Sequence, residues 1–561
     1  MKTDLRTALM LLLTAAAACG GPADEAYDLV ILNGRVMDPE TEFDAVANVG
    51  IVDGRIAVIT DAPLAGAREI DAAGLVVAPG FIDTHYHAVD RFGSKMAVAD
   101  GITTGMDLEA GATDVGRWYA TRDSSGWQVN YGTTSSLIGN RMKVHDPEVI
   151  MSVPLDASTA GGYANQAAAD GLPGWSVETS DIEQMNQVMS LVDDDLREGA
   201  LGIGVGAAYM ARGLTSYEQF LAQKTAGAYG RLTSVHTRYH LNNKPPTEAT
   251  IGLDEVLANA MTLQAPLLLA HDNDYGWWEN EEKLRLAREQ GYNVWGEYYP
   301  YAAGSTLIGA DFLRPESWVD GMGNTYEETI YDPGQDKFLN RQEYEQMVRE
   351  NPGYFIVAFL PWREEWIPRW LTVPEMVVAS DAMQGVNAAG ELLPYDADVS
   401  EYAGHPRTSG TFSTTIKMAR EAGVPLMFTL SQLSYWTAKH LGDTGLLAMQ
   451  ERGRVQEGMV ADLVLFDHAA VEPRSTYKVG ENGLPPEGIP YVIINGVVVK
   501  DDNEVLDVRP GQAIRFPVES AGRYEPITTE GWLSTNTITD RLTPSSDDTG
   551  LARVTGREGG R

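Results

Sequence analysis

Two histidines spaced two residues apart follow an apolar stretch, V-A-P-G-F-I-D-T-H-Y-H, which runs from Val77 to His87. In a β-strand, side chains at positions i and i+2 point to the same side, so His85 and His87 would project together. Neutral imidazole nitrogens bind zinc and other divalent transition metals. The spacing therefore predicts half of a metal site at the end of a buried strand. Two ordinary loop histidines are the alternative interpretation.

Metal-binding side chains also end later apolar stretches. His236 ends R-L-T-S-V-H, His271 ends A-P-L-L-L-A-H and Asp381 ends M-V-V-A-S-D. From Val76 to about Leu446, apolar strands alternate with longer helical segments, as expected for βα units. In a (β/α)8 barrel, the carboxyl ends of the strands meet at one face. The sequence therefore predicts an α/β fold with a TIM-like barrel that carries a metal site at its mouth.

Eight barrel strands can be assigned from the apolar stretches. They are Phe81–His87, a second ending at Glu109, a third from Val129, a fourth from Gly199, a fifth ending at Arg238, a sixth ending at His271, a seventh from Asn293 and an eighth ending at Asp381. Residues 309–374 are predicted to be an insertion before the eighth strand. Its Y-F-I-V-A-F-L run is a candidate competing strand.

Short strands flank the predicted barrel, which spans residues 76–446. Segment 27–75 contains two turn signals, Asn33-Gly34 and Asp53-Gly54, each between apolar runs, and both predict hairpins. Segment 447–526 contains a third, Asn495-Gly496. Neither segment can bury a core alone, so we expect them to combine into one small β-sandwich module. Residues 527–561 are predicted to be a surface or partly disordered tail.

The N-terminal residues 1–26 resemble an export signal. Lys2 and Arg6 precede an apolar run from Ala8 to Ala18, and Cys19 follows. This pattern is similar to a bacterial lipoprotein signal with Cys19 as the lipidated residue; simple secretion to the periplasm or beyond is the alternative. Cys19 is the only cysteine of the chain, which excludes an intramolecular disulfide and any thiolate metal ligand within the barrel.

The net charge of the chain restricts the molecules that it can bind. The chain of 561 residues has 79 acidic and 42 basic side chains and a formal net charge of −37. Such a surface disfavours nucleic acids and anionic membranes. We therefore expect a small-molecule substrate and no nucleic-acid partner, with membrane contact only through an anchor at Cys19.

Several segments together resemble one family. G-F-I-D-T-H-Y-H is similar to the metal-binding signature of the amidohydrolase superfamily, whose members are metal-dependent hydrolases built on a (β/α)8 barrel. V-H-T-R, Y-P-Y-A-A-G-S-T, A-S-D, G-H-P-R-T-S-G-T-F and E-G-M-V-A-D-L-V-L-F-D resemble segments of the D-aminoacylases, the N-acyl-D-amino-acid deacylases. The likeness extends from about Tyr27 to Lys500. It implies hydrolysis of a linear amide C–N bond with one or two zinc ions.

The resemblance also implies a ligand set. His236 and His271 would hold one zinc, and His85, His87 and Asp381 would form the neighbouring position. D-aminoacylases have a cysteine after the second strand, where this chain has L-E-A-G. We therefore predict that Glu109 replaces the thiolate, since carboxylates also bind zinc. The alternatives are that Glu109 only orients a ligand or that Lys143 supplies a bridge. A site without sulfur also admits manganese, iron or cobalt.

Candidate catalytic and substrate-binding residues follow from the same segments. Asp381 is the predicted general base, which would pass a proton from water to the leaving amine. Arg407 is the candidate clamp for a substrate carboxylate, because guanidinium binds carboxylate through two hydrogen bonds. Further substrate contacts are predicted at Tyr299, Tyr301, Arg238 and Asn273. D-aminoacylases have a lysine where this chain has Asn273, which weakens the prediction of their substrate.

Three hypotheses of function therefore remain. The first is an exported, metal-dependent hydrolase that deacylates N-acyl-D-amino acids. The second is a hydrolase of another amide, such as a dipeptide, a cyclic amide or a cell-wall fragment. The third is a surface binding protein that kept the barrel and lost the chemistry. His145, His240, His440 and His468 are interpreted as structural or exposed.

Overall fold

The computed structural model describes residues 27–242 and 248–537. The predicted export signal lies outside the described residues. The strands are β1 Tyr27–Asp38, β2 Phe43–Val52, β3 Arg55–Thr60, β4 Gly66–Asp71, β5 Val76–Pro79, β6 Phe81–Asp83, β7 Ile102–Ala112, β8 Asn130–Ser136, β9 Gly202–Gly206, β10 Leu232–His236, β11 Leu267–Leu269, β12 Val294–Tyr298, β13 Ala303–Leu307, β14 Ile330–Asp332, β15 Lys337–Phe338, β16 Phe355–Phe359, β17 Val377–Val378, β18 Leu463–Phe466, β19 Tyr491–Ile494, β20 Val497–Asp501 and β21 Glu504–Val505.

Helices connect and cover these strands. They are α1 Arg91–Ala99, α2 Val115–Ser125, α3 Leu137–His145, α4 Ala157–Ala167, α5 Gly174–Val177, α6 Ile182–Arg197, α7 Ser216–Ala228, α8 Ala249–Leu263, α9 Trp277–Glu289, α10 Pro315–Trp318, α11 Tyr326–Thr329, α12 Arg341–Glu350, α13 Ile367–Trp370, α14 Arg407–Glu421, α15 Leu426–Leu430, α16 Trp436–Gly442, α17 Leu447–Gln450 and α18 Thr529–Asn536. In the part of the chain that is described, no helix combines the length and apolarity needed to span a bilayer.

Eight parallel strands form the barrel, in the order β6-β7-β8-β9-β10-β11-β12-β17. A backbone bridge between Tyr86 and Ala382 joins the segments that follow the first and last strands, so the barrel is nearly closed. Its interior contains large apolar side chains from different strands, including Met106, Leu232 and Trp295. All eight predicted strands are therefore confirmed, although several are shorter than predicted.

The terminal segments combine as predicted into one β-module. Its nine strands form a continuous hydrogen-bonded network in which β5 joins the N-terminal strands to β18. A separate apolar core, which includes Ile31, Val49 and Leu463, lies within it. The module extends to Pro79, because β5 pairs with β1 and β18 rather than with the barrel. Strand β5, which follows the predicted boundary at residue 75, therefore pairs within the β-module.

One predicted hairpin is wrong. Asn33-Gly34 does not turn the chain; β1 continues through it with a register shift against β2. β4 pairs with the residues before this point and β5 with those after it, so both halves of β1 remain in the sheet. The side-chain oxygen of Asn48 accepts a hydrogen bond from the Asn33 backbone N–H at 2.8 Å, which gives this N–H group at the bulge a partner. The Asp53-Gly54 and Asn495-Gly496 hairpins are confirmed, with positive φ at all four residues.

The insertion before the last barrel strand forms its own small sheet. β13 and β16 pair antiparallel, and β14 and β15 complete the order β13-β16-β14-β15. β16 contains the Y-F-I-V-A-F-L run, which is therefore a strand but does not compete for the barrel. The sheet begins at Ala303, slightly before the predicted start of the insertion, and covers the mouth of the barrel beside the candidate site.

Candidate metal centre

His85 and His87 lie just beyond the short strand β6. The chain stays extended there, because His85 forms a backbone bridge with Asp107 and the backbone N–H of His87 donates to Ala382 O at 3.0 Å. The side-by-side placement expected of an i, i+2 pair results: the two Nε2 atoms are 3.0 Å apart. Both side chains are buried.

Carboxylates of two other strand ends meet these nitrogens. Glu109 Oε2 lies 3.2 Å from Nε2 of both histidines. Asp381 Oδ1 lies 3.5 Å from each. Ligands at zinc–ligand distances of 2.0–2.2 Å in a tetrahedron are separated by about 3.3–3.6 Å. Two imidazoles and two carboxylates at this spacing therefore fit one divalent metal ion.

A second cluster lies on the other side of Glu109. Its Oε1 is 2.6 Å from His236 Nδ1, and His271 Nε2 is 2.9 Å from the same nitrogen. Glu109 thus presents one oxygen to each cluster, which is the geometry of a bridging ligand. Lys143 instead pairs with Asp114 at 2.8 Å, away from the site, so the alternative of a lysine bridge is wrong. Metal coordination by these residues stays a prediction that the arrangement fits.

Charges around the cluster set the ionisation states of its side chains before a metal binds. Burial lowers the pKa of His85, but the charges of Asp381, Glu297 and Glu109 outweigh it and raise this pKa well above that of a free imidazole, so a metal would displace a proton there. Burial opposes ionisation of Glu109, but the charge of His85 and hydrogen bonds with His236, His85 and His87 hold the pKa of its carboxyl group well below the usual range. Burial and the neighbouring His236 lower the pKa of His271 well below that of a free imidazole. A carboxylate and a neutral imidazole are the forms that bind metals.

Two carboxylates that sequence reasoning missed orient the first pair of histidines. Glu297 Oε1 lies 2.6 Å from His85 Nδ1, and Asp107 Oδ2 lies 3.0 Å from His87 Nδ1. Each carboxylate would accept a hydrogen bond from the Nδ1–H group of its histidine, which leaves Nε2 unprotonated and free to bind a metal. Asp107 could have been recognised, since it precedes Glu109 by two residues on β7 and shares its face.

His240 was also misassigned as structural or exposed. It is buried, lines the cavity, and its Nδ1 lies 3.0 Å from His236 Nε2. When His236 uses Nδ1 toward the metal, its Nε2 carries the proton, and His240 Nδ1 is the acceptor. His240 therefore orients His236 through a hydrogen bond, as Glu297 orients His85 and Asp107 orients His87. The signal in the sequence was the i, i+4 spacing from His236.

Asp381 is held by the predicted carboxylate clamp. Arg407 Nη2 donates to Asp381 Oδ1 at 2.8 Å, and Arg407 is fully buried at the start of α14. Arg407 does not line the cavity, although its Nε and Nη1 have no hydrogen-bond partner among the described residues. Asp381 and His271 both have positive φ, 50° and 34°, in the left-handed region that non-glycine residues rarely adopt. Such backbone strain is typical of functional positions.

The clusters face a cavity of about 150 Å³ with a largely apolar wall. The apolar wall residues include Ile138, Met142, Leu155, Trp175, Leu241, Phe312 and Leu360. Helix α4 contributes to this wall, and its start is fixed by a capping box in which Asp156 accepts the Ser158 N–H and Thr159 Oγ1 accepts the Asp156 N–H. The cavity could accept an apolar group next to the candidate metal position.

Of the remaining predicted substrate contacts, Tyr299 lines this cavity. Its hydroxyl oxygen accepts from Arg363 Nη1 at 2.8 Å, so its proton is free to donate to another group. Arg363, from the insertion, also lines the cavity and forms a bidentate pair with Asp274 at 2.7 and 2.8 Å. Sequence reasoning missed Arg363.

Tyr301, Arg238 and Asn273 lie behind the cavity wall, so the prediction that they contact substrate is not supported. Tyr301 bonds to Thr414 at 3.1 Å, Arg238 to Glu255 at 2.9 Å, and the Asn273 amide donates to the Tyr299 carbonyl at 3.4 Å. The i, i+2 relation of Arg238 to His236 fails because β10 ends at His236 and the chain turns there.

No protein-family model matches the chain. Two curated relatives from Alcaligenes xylosoxydans xylosoxydans align with most of it. N-acyl-D-glutamate deacylase is 27% identical over 531 residues, which cover 89% of this chain and 99% of the relative. D-aminoacylase is 25% identical over 519 residues, which cover 87% of this chain and 98% of the relative.

Solved structures of the same two kinds of protein share the fold. N-acyl-D-glutamate deacylase from Bordetella bronchiseptica, solved with zinc and a phosphonate inhibitor, superposes with a TM-score of 0.68 at 21% identity and covers 88% of this chain and all of its own. A D-aminoacylase solved in a study of its binuclear metal centre gives a TM-score of 0.65 at 21% identity, covering 87% of this chain and all of its own.

Proposed function

Because this chain is a homologue of the D-aminoacylases and has the same barrel fold, we propose that it is a metal-dependent amidohydrolase that deacylates N-acyl-D-amino acids. The observation that carries the proposal is the position of Glu109, with one oxygen toward His85 and His87 and the other toward His236. Asp381 lies at the same mouth. Zinc, as one or two ions, is the cofactor that this set of nitrogen and oxygen donors supports.

A bound zinc would supply Lewis-acid activation of the water and of the scissile carbonyl. His85, His87, Glu109 and Asp381 would hold one ion, and His236, His271 and Glu109 the other. Asp381 acts as the general base: its carboxylate accepts the proton of the attacking water and returns it to the amine nitrogen as the C–N bond breaks. Arg407 orients Asp381 through their 2.8 Å ion pair.

Tyr299 is the group best placed to donate to a substrate oxygen. The Tyr299 hydroxyl oxygen accepts a hydrogen bond from Arg363, so the hydroxyl hydrogen can point into the cavity. The unpartnered Nη1 of Arg407 lies behind Gly304, a cavity residue whose Cβ would be 3.7 Å from it. Arg407 therefore stays the candidate partner for the α-carboxylate of an N-acyl-amino acid, although it does not line the cavity.

A second candidate function is hydrolysis of an uncharged amide, such as a dipeptide derivative or a cyclic amide. One observation favours it: among the described residues that line the cavity, Arg363 is the one with a permanent positive charge, and Asp274 neutralises it. A substrate without a free carboxylate would need no further cation.

The test is a substrate panel on zinc-loaded protein. It contains N-acetyl-D-amino acids, their L-enantiomers, amidated dipeptides and a cyclic imide, with release of free amine as the measurement. The proposal expects the N-acetyl-D-amino acids to be hydrolysed fastest, and hydrolysis to disappear in the Asp381→Asn variant. Preference for the amidated or cyclic compounds would support the second candidate. Hydrolysis of none would support a binding protein.

We also propose that the protein is exported and anchored to the bacterial envelope through lipidated Cys19. The support is the sequence alone: the basic start with Lys2 and Arg6, the apolar run from Ala8 to Ala18 and the cysteine after it. Fractionation of the producing cells tests it. The wild-type protein should pellet with membranes, and the Cys19→Ala variant should not; equal partition of both would contradict the anchor.

A further inference from the structure

A second cavity of about 260 Å³ adjoins the metal-facing one. It lies between α4, the segment that precedes β16 and the loop after β17. Its wall includes Ala157, Gly162 and Asn165 of α4, together with Phe355, Gln384 and Gly390. Three of these residues, Ala157, Phe355 and Gln384, also line the metal-facing cavity. We call the two spaces the outer cavity and the inner cavity.

Helix α4 separates the two spaces. Residues three and four apart lie on the same face of a helix. Ala157, Ala160 and Ala164 line the inner cavity, whereas Ser158, Gly161, Gly162 and Asn165 line the outer one. Adjacent faces of one helix thus form a wall of each cavity. A molecule that passed from one to the other would cross at Gln384 and Phe355, beyond the end of this partition.

The outer cavity is polar but uncharged. Although 22% of the residues of the chain are charged, none of the described residues in its wall is. At two of its glycines, Gly162 and Gly390, a Cβ would meet no atom closer than 3.9 Å, and this room gives a peptide backbone or a similarly narrow group close access to the wall. The chemistry of this wall suits amide or other neutral hydrogen-bonding groups and offers nothing to pair with a carboxylate or an ammonium group.

Gln384 provides an unused acceptor at the junction. Its side chain is 3% exposed, its Nε2 donates to the carbonyl of Ala157, and its Oε1 has no hydrogen-bond partner among the described residues. Buried carbonyl oxygens are ordinarily hydrogen-bonded. An N–H group of a bound ligand at the junction would satisfy this atom.

From these observations we propose that the outer cavity is a subsite for an uncharged, peptide-like extension of the substrate. This inference rests on the proposed amide hydrolysis, since the extension is the part of the molecule remote from the scissile bond. The inner cavity holds the reacting amide and its apolar neighbour, Gln384 accepts from the first N–H of the extension, and the glycine-rich wall holds the rest. The site then also accepts substrates that are longer than a simple N-acetyl-amino acid.

Gly162 allows a direct test. Gly162 is exposed at the wall of the outer cavity, a Cβ built there meets no atom within 4 Å, and its backbone is not in the left-handed region, so a larger side chain fits without a clash at its base. Gly162→Trp is designed to cover the outer cavity, and Gly162→Ala is the matched control that leaves it open. Gly162 belongs neither to the metal cluster nor to the wall of the inner cavity.

The experiment compares kcat/KM for three substrates that contain the same D-amino acid. One is the N-acetyl-D-amino acid, the second has an acetyl-diglycyl group as its acyl part, and the third carries a diglycine amide on its carboxyl group. We expect Gly162→Trp to lower kcat/KM for one extended derivative by about tenfold or more and to leave the short substrate within about twofold. Gly162→Ala should behave as the wild type. Equal effects on short and extended substrates, or no effect, would overturn the proposal.

Calorimetric binding of acetyl-triglycine amide distinguishes failure of this proposal from failure of the proposed function. If the wild type hydrolyses no member of the set, the proposed function is wrong. The subsite then still predicts that the zinc-loaded wild type and Gly162→Ala bind this uncharged peptide, and that Gly162→Trp binds it about tenfold more weakly or not at all. Absence of binding by the wild type, or equal binding by all three proteins, would overturn the subsite.

Discussion

Glu109 Oε1 lies 2.6 Å from Nδ1 of His236, although the two residues belong to different barrel strands and are 127 positions apart in the chain. Its other oxygen faces His85 and His87. One carboxylate therefore joins two groups of nitrogen ligands. In the D-aminoacylases that the sequence resembles, a cysteine is the residue expected near this point.

Glu109→Gln keeps the size of this side chain and removes its charge. Because both candidate metal positions share the carboxylate, we expect the variant to lose at least one of two zinc ions, whereas Glu109→Cys should retain zinc through its thiolate. Metal-to-protein ratios after dialysis are the measurement. Asp156→Asn is the matched control, since Asp156 also lines the cavity but pairs with Arg122. Unchanged zinc content in Glu109→Gln would contradict the bridging role.

His240→Ala removes the acceptor that holds His236. Loss of such a supporting group typically weakens metal binding about 10–100-fold. We expect a weakening of this size for one zinc ion and little change for the other, which His85 and His87 hold. Zinc titration followed by calorimetry separates the two events. His468→Ala removes a histidine outside the site and should leave both affinities unchanged; so should His240→Ala if His240 were merely structural.

Much of this site follows from the sequence because its ligands are rare residue types at strand ends. His85, His87, Glu109, His236, His271 and Asp381 could be assigned one strand at a time, and the barrel brings them together. Local periodicity and the rule that parallel strands end at one face brought these side chains to notice. Their roles as ligands, and Glu109 in place of a cysteine, were implied by the resemblance to the D-aminoacylases.

Arg363 was missed because its position depends on a contact between distant segments. Arg363 comes from the insertion and pairs with Asp274, which lies 89 positions earlier. No local pattern specifies that approach. The Asn33-Gly34 error has the same origin: the dipeptide favours a turn, but pairing of β1 with β2, β4 and β5 keeps the strand continuous. Tertiary pairing overrode the local signal.

Arg363→Ala should destabilise the fold as well as alter the cavity. The side chains of Arg363 and Asp274 are 2% and 5% exposed, so removal of one partner leaves a buried, uncompensated charge. Such a change costs about 3–5 kcal/mol of unfolding free energy. The double variant Arg363→Met with Asp274→Leu should recover most of that loss. Urea denaturation measures both, and equal destabilisation by the single and double variants would contradict the ion-pair explanation.

The buried Lys500 should make the free energy of unfolding depend on pH. Burial lowers its pKa from the ordinary 10.5 to about 8, partly opposed by Asp100. Between pH 8 and 10.5 the unfolded chain therefore binds a proton that the folded protein does not, so stability rises with pH in this window and is lost as pH falls through 8.

Compared with Lys500→Met, the wild type should gain up to about 3 kcal/mol of unfolding free energy from pH 8 to 10.5. The measurement is the difference between the two proteins in denaturant unfolding at each pH, since other groups titrate equally in both. A constant difference across this range would show that Lys500 is charged in the folded protein throughout it.

Adding zinc back to protein made metal-free by chelation tests whether these strand ends form a metal-dependent hydrolytic site. Release of free amine from an N-acetyl-D-amino acid is followed against equivalents of zinc. The arrangement around Glu109 predicts no release without metal and full activity within two equivalents. Undiminished activity in protein verified to be metal-free would contradict it.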